Sequence, residues 1–184
     1  MVNTVFLDRD GVINELVLRN TPDYPAQYYT APWKEEEFKF ISGAILAISK
    51  FKNMGMKVIV ATNQPDVNDG HMTMGTLEKF NQKLIDVGVD EVTCALDRNS
   101  PDYKPGNGML ESMIDKYNIN REHAVFIGDR WKDIVAGHRS GLKTIYCSET
   151  AHYISPYIFE NIQPTYIVKN LLSASTLIED IKND

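Results

Sequence analysis

Two aspartates separated by one residue follow a short apolar run near the N-terminus of this 184-residue chain. Val5-Phe6-Leu7 has the composition of a buried strand, and Asp8-Arg9-Asp10-Gly11 comes directly after it. Because residues i and i+2 of an extended chain point to the same side, Asp8 and Asp10 are expected to project together. Adjacent carboxylates repel, and a hard cation such as Mg²⁺ relieves that repulsion. The same four residues are also typical of a solvated turn, so this motif alone leaves both interpretations open.

Polar residues also follow other expected strand ends. One strand runs into Thr62-Asn63-Gln64, whose hydroxyl and turning backbone N–H groups suit anionic oxygens. Another runs into Gly128-Asp129-Arg130, which adds a third carboxylate. Lys104 precedes Pro105, which favours extended backbone at the start of a helix whose positive end attracts anions. A turn, a helix cap or a solvated charge explains each feature alone, but their coincidence at one sheet edge indicates a site.

The elements that must position these residues are short apolar runs alternating with stretches of helical period. The predicted strands are Val5–Leu7, Val58–Val60, Val92–Leu96, Val125–Ile127, Thr144–Cys147 and Tyr166–Val168. Apolar stripes predict helices at 41–51, 77–85, 110–117, 133–140 and 174–181, with Pro105 opening the third. Most strands are apolar on both faces, as in a sheet covered by helices on both sides. The chain is therefore predicted to form a doubly wound, Rossmann-like α/β sheet of about six parallel strands.

Length and composition argue against a nucleic-acid-binding protein and a membrane-spanning protein. The length predicts one domain over residues 1–184, and 25 acidic against 19 basic side chains give a net charge of −6, which argues against a nucleic-acid partner. No apolar run approaches the ~20 residues of a membrane span. Two cysteines and the lack of a signal peptide predict a cytoplasmic protein, expected as a monomer or small homo-oligomer.

Two stretches interrupt the alternation of strands and helices. Residues 14–40 contain three prolines and many aromatic residues, and we predict a short flap-like insertion there because the stretch is too short for a domain. Tyr28, Tyr29 and Trp33 in this flap either stack on a sugar ring or pack the flap onto the sheet. The second long stretch is 148–164.

The four motifs together resemble the haloacid dehalogenase superfamily of phosphohydrolases. They are Phe6–Asn14, Ala61–Gln64, Lys104-Pro105, and Ile127–Asp129 with Asp133. The residues of these motifs are similar to those of the heptose bisphosphate and histidinol phosphate phosphatases. The resemblance implies a capless, Mg²⁺-dependent phosphatase that acts on a small phosphorylated metabolite, foremost a heptose-like sugar phosphate, with histidinol phosphate or another polyol phosphate as the alternative.

The resemblance also implies roles for individual residues. Asp8 would attack phosphorus and form an aspartyl phosphate, while Asp10 would donate and accept the protons. Mg²⁺ would bind the side chains of Asp8 and Asp129 and the backbone carbonyl of Asp10. Thr62 and Lys104 would hold the phosphate oxygens.

The chain departs from the resembling subgroup in the stretch before Lys104. Residues 94–103 contain one cysteine and no histidine, so we predict no structural zinc. Tyr103 stands where the subgroup has an arginine that contacts substrate, which leaves bisphosphate specificity open. The predicted substrate contacts are Asn63, Tyr103, Arg130 and Arg19, with solvated arginines as the alternative for the last two. Asp133 either orients Asp129 or Lys104, or interacts with the helix dipole.

A phosphoryl-receiver signalling domain is the alternative of another class. Such a domain also combines a doubly wound sheet with clustered acids, Mg²⁺, a threonine and a lysine. Its acceptor aspartate ends the third strand, where this chain has Asp97. The spacing of Asp10 behind Asp8 and the position of Asp129 after the fourth strand favour the hydrolase.

Overall fold

The computed structural model describes residues 2–21, 24–150 and 162–183. In these ranges the strands are β1 (Thr4–Leu7), β2 (Val17–Thr21), β3 (Tyr24–Thr30), β4 (Lys57–Asn63), β5 (Glu91–Ala95), β6 (Ala124–Gly128), β7 (Lys143–Cys147) and β8 (Tyr166–Val168). The α-helices are α1 (Ala44–Asn53), α2 (Met74–Asp86), α3 (Gly108–Tyr117), α4 (Trp131–Arg139) and α5 (Leu171–Asn183). None of the helices in these ranges is long and apolar enough to cross a membrane.

Six strands form one parallel sheet in the order β5-β4-β1-β6-β7-β8, which confirms the predicted doubly wound architecture. From β1 the chain builds outwards through β4 and β5, and it then crosses back to add β6, β7 and β8 on the other side. The strand order reverses beside β1, and ligands bind α/β sheets at such a switch point, beyond the carboxyl ends of the strands. Asp8, Thr62 and Asp129 lie at the ends of the three central strands, so they meet at this point.

Alternation along the central strands divides the core between the two faces of the sheet. In β1, Val5 and Leu7 pack with residues of α1, α2 and α5, while Phe6 packs with residues of α3 and α4. The prediction that Pro105 opens the third helix is wrong, because α3 begins at Gly108. The preceding residues form turns instead, in which the backbone N–H of Gly106 donates to the carbonyl of Tyr103 at 2.8 Å.

The flap contains an antiparallel hairpin of β2 and β3, which the sequence patterns did not predict. Residues 22 and 23, which come between these strands in the sequence, lie outside the described residues, as do residues 151–161 of the second long stretch. The Arg19 guanidinium donates to both carboxylate oxygens of Glu37, at 2.6 and 2.7 Å, and to the Thr30 hydroxyl at 3.0 Å. It also stacks 4.0 Å from the Trp33 ring centroid, and Trp33 stacks in turn on His71 at 4.2 Å. Arg19 therefore holds the flap together, and its contact with substrate stays a prediction.

Replacing Glu37 by Gln tests this role of the ion pair. The hydrogen bond from Arg19 holds the pKa of Glu37 at about 2, below its ordinary 4.5, so the pair stabilises the fold above pH 4.5. That contribution is lost as pH falls from 4.5 towards 2. We expect Glu37→Gln to lower the free energy of unfolding by about 0.5–1 kcal/mol at pH 7, a value reduced by solvent screening, and by less at pH 3.5.

Urea denaturation at both pH values measures the effect. Glu36→Gln is the matched control, because Glu36 is exposed and forms no ion pair or side-chain hydrogen bond among the described residues. An equal loss of stability in both variants would contradict the assignment.

Candidate active site

Lys104 lies in the protein interior between two carboxylates. Its ammonium group is 2.7 Å from Asp8 Oδ1 and 2.7 Å from Asp133 Oδ1, and it donates to the Ala61 carbonyl at 2.8 Å. Burial opposes the charged form of Lys104, but Asp133 and Asp8 raise its pKa above the ordinary value. Burial also raises the pKa of Asp8 to about 6, and Lys104 opposes that rise. The pair is therefore charged at neutral pH, with an anionic Asp8.

Asp129 completes a group of three buried carboxylates. Oxygens of Asp8, Asp129 and Asp133 all lie within 4.8 Å of one another. Burial, followed by the charges of Asp8 and Asp133, raises the pKa of Asp129 well above its ordinary value. Asp129 Oδ1 is buried and accepts no hydrogen bond from the described residues. An oxygen without a donor in a carboxylate group of this kind suits a hard divalent cation.

Asp10 is held by three neighbours from its own loop and the next. Its Oδ1 accepts hydrogen bonds from Arg9, at 3.1 and 3.2 Å, and from Asn14 at 2.9 Å. Its Oδ2 accepts from Gln64 Nε2 at 2.6 Å, and the same amide donates to the Thr62 hydroxyl at 2.9 Å. Arg9 also donates to Gln64 Oε1 at 2.8 Å, which fixes the amide orientation. The Asp10 side chain is therefore outside the group of three carboxylates, but it lines the cavity described below.

Asn63 holds the backbone of Lys104. Its side-chain oxygen accepts from the Lys104 N–H and its amide donates to the Lys104 carbonyl, both at 2.9 Å. This pair of bonds joins the end of β4 to the loop before α3. The amide oxygen and one amide hydrogen of Asn63 are thus occupied in positioning Lys104. Asn63 also lines the cavity described below, and its substrate contact stays a prediction.

Asp133 combines the two interpretations that the sequence left open. One carboxylate oxygen pairs with Lys104, and the other accepts the backbone N–H of Arg130 at 2.9 Å at the start of α4. Asp133 therefore orients the lysine and caps the helix at once.

A cavity of about 390 Å³ opens above these residues. Its floor includes Asp8, Asp10, Thr62, Lys104 and Asp133, and its walls include Tyr28 and Tyr29 of the flap, Asp66, Arg98, Tyr103, Arg130 and Lys132. Tyr103 and Arg130 thus line the cavity, and their contacts with substrate stay predictions. The volume is within the range of small-molecule sites, about 300–1,000 Å³.

Asp97, which would be the acceptor aspartate of a phosphoryl-receiver domain, lies outside this cavity. Asp97 is exposed, accepts the backbone N–H of Asn99 at 2.9 Å, and is absent from the cavity lining. Near it, Cys94 is half-buried and within 3.6 Å of the Asn81 amide nitrogen. In the described ranges two groups of side chains could hold a metal ion, and neither includes a cysteine: they are Asp8, Asp129 and Asp133, and Asp66, Asp69 and His71. The lack of structural zinc remains a prediction.

Comparison with known proteins identifies the family. The family model described as haloacid dehalogenase-like hydrolase matches residues 7–147. The chain belongs to this family. This hydrolase is 28% identical, over 97% of both chains, to the D-glycero-alpha-D-manno-heptose-1,7-bisphosphate 7-phosphatase of Photorhabdus laumondii. It is 24% identical over 73% of its length to the histidine biosynthesis bifunctional protein HisB of Xylella fastidiosa, covering 36% of that protein.

Solved structures give the same result for the fold. A D,D-heptose 1,7-bisphosphate phosphatase from B. bronchiseptica, crystallised with magnesium and phosphate, superposes with a TM-score of 0.78 at 19% identity. The match covers 98% of this hydrolase and 99% of that chain.

Several residues of this haloacid dehalogenase-like hydrolase were missed by sequence reasoning. Arg9, Asn14 and Gln64 belong to the first two sequence motifs, but their spacing does not show that all three donate hydrogen bonds to the Asp10 carboxylate. Lys132 lies one residue before Asp133, at the N-terminal end of the predicted helix, where a lysine side chain is expected to be exposed to solvent. The structure places its side chain in the cavity wall.

Gly11 permits the close approach of Asp129. Its φ is +88°, and a Cβ atom there would lie 2.2 Å from Asp129 Oδ2. Gly55 provides a matched control, because its φ is +73° but nothing lies within 4 Å of the added carbon. We expect Gly55→Ala to lose about 1–2 kcal/mol of stability from the left-handed conformation alone. Gly11→Ala should lose clearly more in urea unfolding, and equal losses would refute the steric argument.

Proposed function

We propose that this hydrolase is a Mg²⁺-dependent phosphatase that cleaves a small phosphate monoester, foremost a sugar phosphate, through an aspartyl-phosphate intermediate. The observation that carries the proposal is the group of buried oxygens of Asp8, Asp129 and Asp133, with the Lys104 ammonium bound to two of them on the cavity floor. The phosphatase named in Photorhabdus laumondii and the magnesium and phosphate named in the B. bronchiseptica structure support it.

The donor set fits Mg²⁺. Asp8 and Asp129 would hold the ion with their side chains, together with the backbone carbonyl of Asp10, and Asp129 Oδ1 accepts no hydrogen bond from the described residues. Asp133 is less suited as a ligand, because Lys104 and the Arg130 N–H occupy its two oxygens. When bound, the ion neutralises charge that otherwise opposes the approach of a carboxylate to a phosphate.

In the first half-reaction Asp8 is the nucleophile. Lys104 binds Asp8 Oδ1, which orients the carboxylate, while Oδ2 accepts no hydrogen bond from the described residues. As the oxygen of Asp8 bonds to phosphorus, the bond to the leaving oxygen breaks, and that oxygen takes a proton from Asp10. The Thr62 hydroxyl accepts a bond from Gln64, so its own hydrogen remains to donate to a phosphate oxygen.

In the second half-reaction water attacks the phosphorus of the aspartyl phosphate. Asp10, now a carboxylate, accepts the proton of that water, and the bond between phosphorus and Asp8 breaks. The products are the alcohol and inorganic phosphate, and Asp8 is regenerated. The hydrogen bonds from Arg9, Asn14 and Gln64 hold Asp10 in the orientation from which both transfers start.

The cavity walls favour a sugar phosphate over histidinol phosphate. Tyr28, Tyr29 and Tyr103 offer aromatic faces and hydroxyls suited to a polyhydroxyl chain. Histidinol phosphate carries a protonated amine, which would face the cations of Arg130 and Lys132. The relationship to HisB makes it the second candidate.

Replacing the nucleophile tests the reaction. Asp8→Asn should lower Mg²⁺-dependent phosphate release from p-nitrophenyl phosphate by roughly 10³-fold or more, because the amide cannot form the covalent intermediate. Asp97→Asn is the matched control, since Asp97 is exposed and outside the cavity, and it should retain activity. Undiminished turnover by Asp8→Asn, or stable phosphorylation at Asp97, would overturn the assignment.

A comparison of two phosphate esters tests which of them is the preferred substrate. We expect kcat/KM for D-glycero-D-manno-heptose 1,7-bisphosphate to exceed that for histidinol phosphate by at least about 10-fold, equivalent to 1.4 kcal/mol of transition-state binding. Phosphate release under identical Mg²⁺ concentrations measures both constants. A preference for histidinol phosphate would reverse the order of the two candidates.

A further inference from the structure

The two carboxylate oxygens of Asp10 are held in different ways. Oδ1 accepts three hydrogen bonds, from Arg9 Nε at 3.2 Å, Arg9 Nη2 at 3.1 Å and Asn14 Nδ2 at 2.9 Å. Among the described residues Oδ2 accepts one, from Gln64 Nε2 at 2.6 Å. A carboxylate oxygen has two lone pairs, so the donors at Oδ1 leave no position for a proton there. Oδ2 keeps one lone pair, which makes it the oxygen that can carry a transferred proton.

The three donors hold Asp10 from the interior of the protein. Arg9, Asn14 and Gln64 are completely buried, whereas the Asp10 side chain keeps 12% of its surface exposed. Asp10 lines the cavity, and none of its three donors does. The part of Asp10 that stays exposed therefore lies on the cavity side.

The orientation of the Gln64 amide is fixed by its neighbours. Arg9 Nη2 donates to Gln64 Oε1 at 2.8 Å, so the amide oxygen faces the guanidinium and the amide nitrogen faces Asp10. A reversed amide would place N–H groups against the guanidinium and an oxygen against the carboxylate, and both hydrogen bonds would be lost in the interior. The same nitrogen also donates to the Thr62 hydroxyl at 2.9 Å. All the polar atoms of Gln64 are thereby engaged with groups of the site.

Holding the second oxygen matters for the direction of proton transfer. The χ2 torsion of an aspartate is broad, so contacts to one oxygen define the plane of the carboxylate only loosely. Gln64 adds the contact at the other oxygen and fixes that plane. A misplacement of about 1 Å in a reacting group can lower a rate by roughly 10²-fold.

We propose that Gln64 is the positioning residue for protonation of the leaving group, because it orients Oδ2 of Asp10 towards the cavity and links that oxygen to Thr62. This inference rests on the proposed function for the roles of Asp10 and Thr62. As the bond between phosphorus and the leaving oxygen breaks, its electron pair goes to that oxygen, which takes the proton from Oδ2. Asp10 is then a carboxylate whose Oδ2 still accepts from Gln64. Arg9 and Asn14 hold the oxygen that takes no part in the transfer.

Two esters of similar size separate this role from a structural one. p-Nitrophenyl phosphate releases a phenolate that is stable without a proton, whereas benzyl phosphate releases an alkoxide that needs one. Gln64→Met removes both N–H donors of the side chain. We expect it to lower kcat for benzyl phosphate at least 10-fold more than kcat for p-nitrophenyl phosphate, both at saturating Mg²⁺. Because both constants come from one preparation, the fraction of folded protein cancels from their ratio.

A second variant and a control accompany this measurement. Gln64→Met leaves the Arg9 guanidinium without one acceptor in the interior, so Gln64→Glu is tested beside it. Glutamate keeps an oxygen for Arg9 but has no N–H for Asp10, and it should change the ratio in the same direction. Gln82→Met is the matched control, since Gln82 is exposed on α2 and its amide also donates to an aspartate, Asp86, at 2.8 Å. Its ratio should equal that of the wild type.

The outcomes distinguish positioning from support of the fold. An equal fall for the two esters in both Gln64 variants, including complete loss of both activities, would overturn the proposal, and so would an unchanged rate with benzyl phosphate. Wild-type protein that cleaves p-nitrophenyl phosphate but not benzyl phosphate would also overturn it, since Asp10 would then deliver no proton to an alkoxide. Failure of the phosphatase proposal would appear separately, as wild-type protein that releases phosphate from neither ester in the presence of Mg²⁺.

Discussion

The Lys104 ammonium group neutralises two carboxylates in the interior of the protein, and the geometry of the site depends on that compensation. An isolated buried charge destabilises a fold by several kcal/mol unless a partner of opposite charge accompanies it. Asp8 and Asp133 come from β1 and α4, and Lys104 comes from the loop between β5 and α3. A single cation therefore connects three segments at the edge of the sheet. Among the described residues the third acid, Asp129, forms no ion pair, and this asymmetry supports the proposed metal site.

Asn63 and Gln64, the two residues after Thr62, hold different parts of this arrangement in place. Asn63 holds the backbone of Lys104, and Gln64 holds the side chain of Asp10. Because they are consecutive at the end of β4, the spacing between Asp8, Asp10 and Lys104 is set by one turn of the chain. Gly11 then allows Asp129 to approach from β6, which a side chain would prevent. The reactive groups are thus positioned by the rigid centre of the sheet.

The part of the cavity that faces the rest of a substrate is constructed differently. It is formed by the flap hairpin, the loop after β5 and the start of α4, all outside the sheet. The stack of Arg19, Trp33 and His71 fastens the flap to the loop after β4. Such peripheral segments tolerate change more easily than a buried network does. The groups of the proposed reaction and the groups that would contact the rest of a substrate therefore belong to separate parts of this hydrolase.

The sequence by itself determined the six strands, their parallel direction, and the acids Asp8, Asp10 and Asp129 that follow them, because periodicity and strand ends are local properties. The order of the strands in the sheet came from the structure. Only the tertiary structure decided what each polar side chain binds. Asn63 and Lys104 are 41 residues apart, and Arg19 reaches Glu37 over 18 residues, so neither pairing can be read from spacing. The hairpin and the start of α3 at Gly108 depend likewise on contacts that the sequence patterns do not show. Burial and charge compensation are properties of the packed molecule, and they act only after folding has brought these segments together.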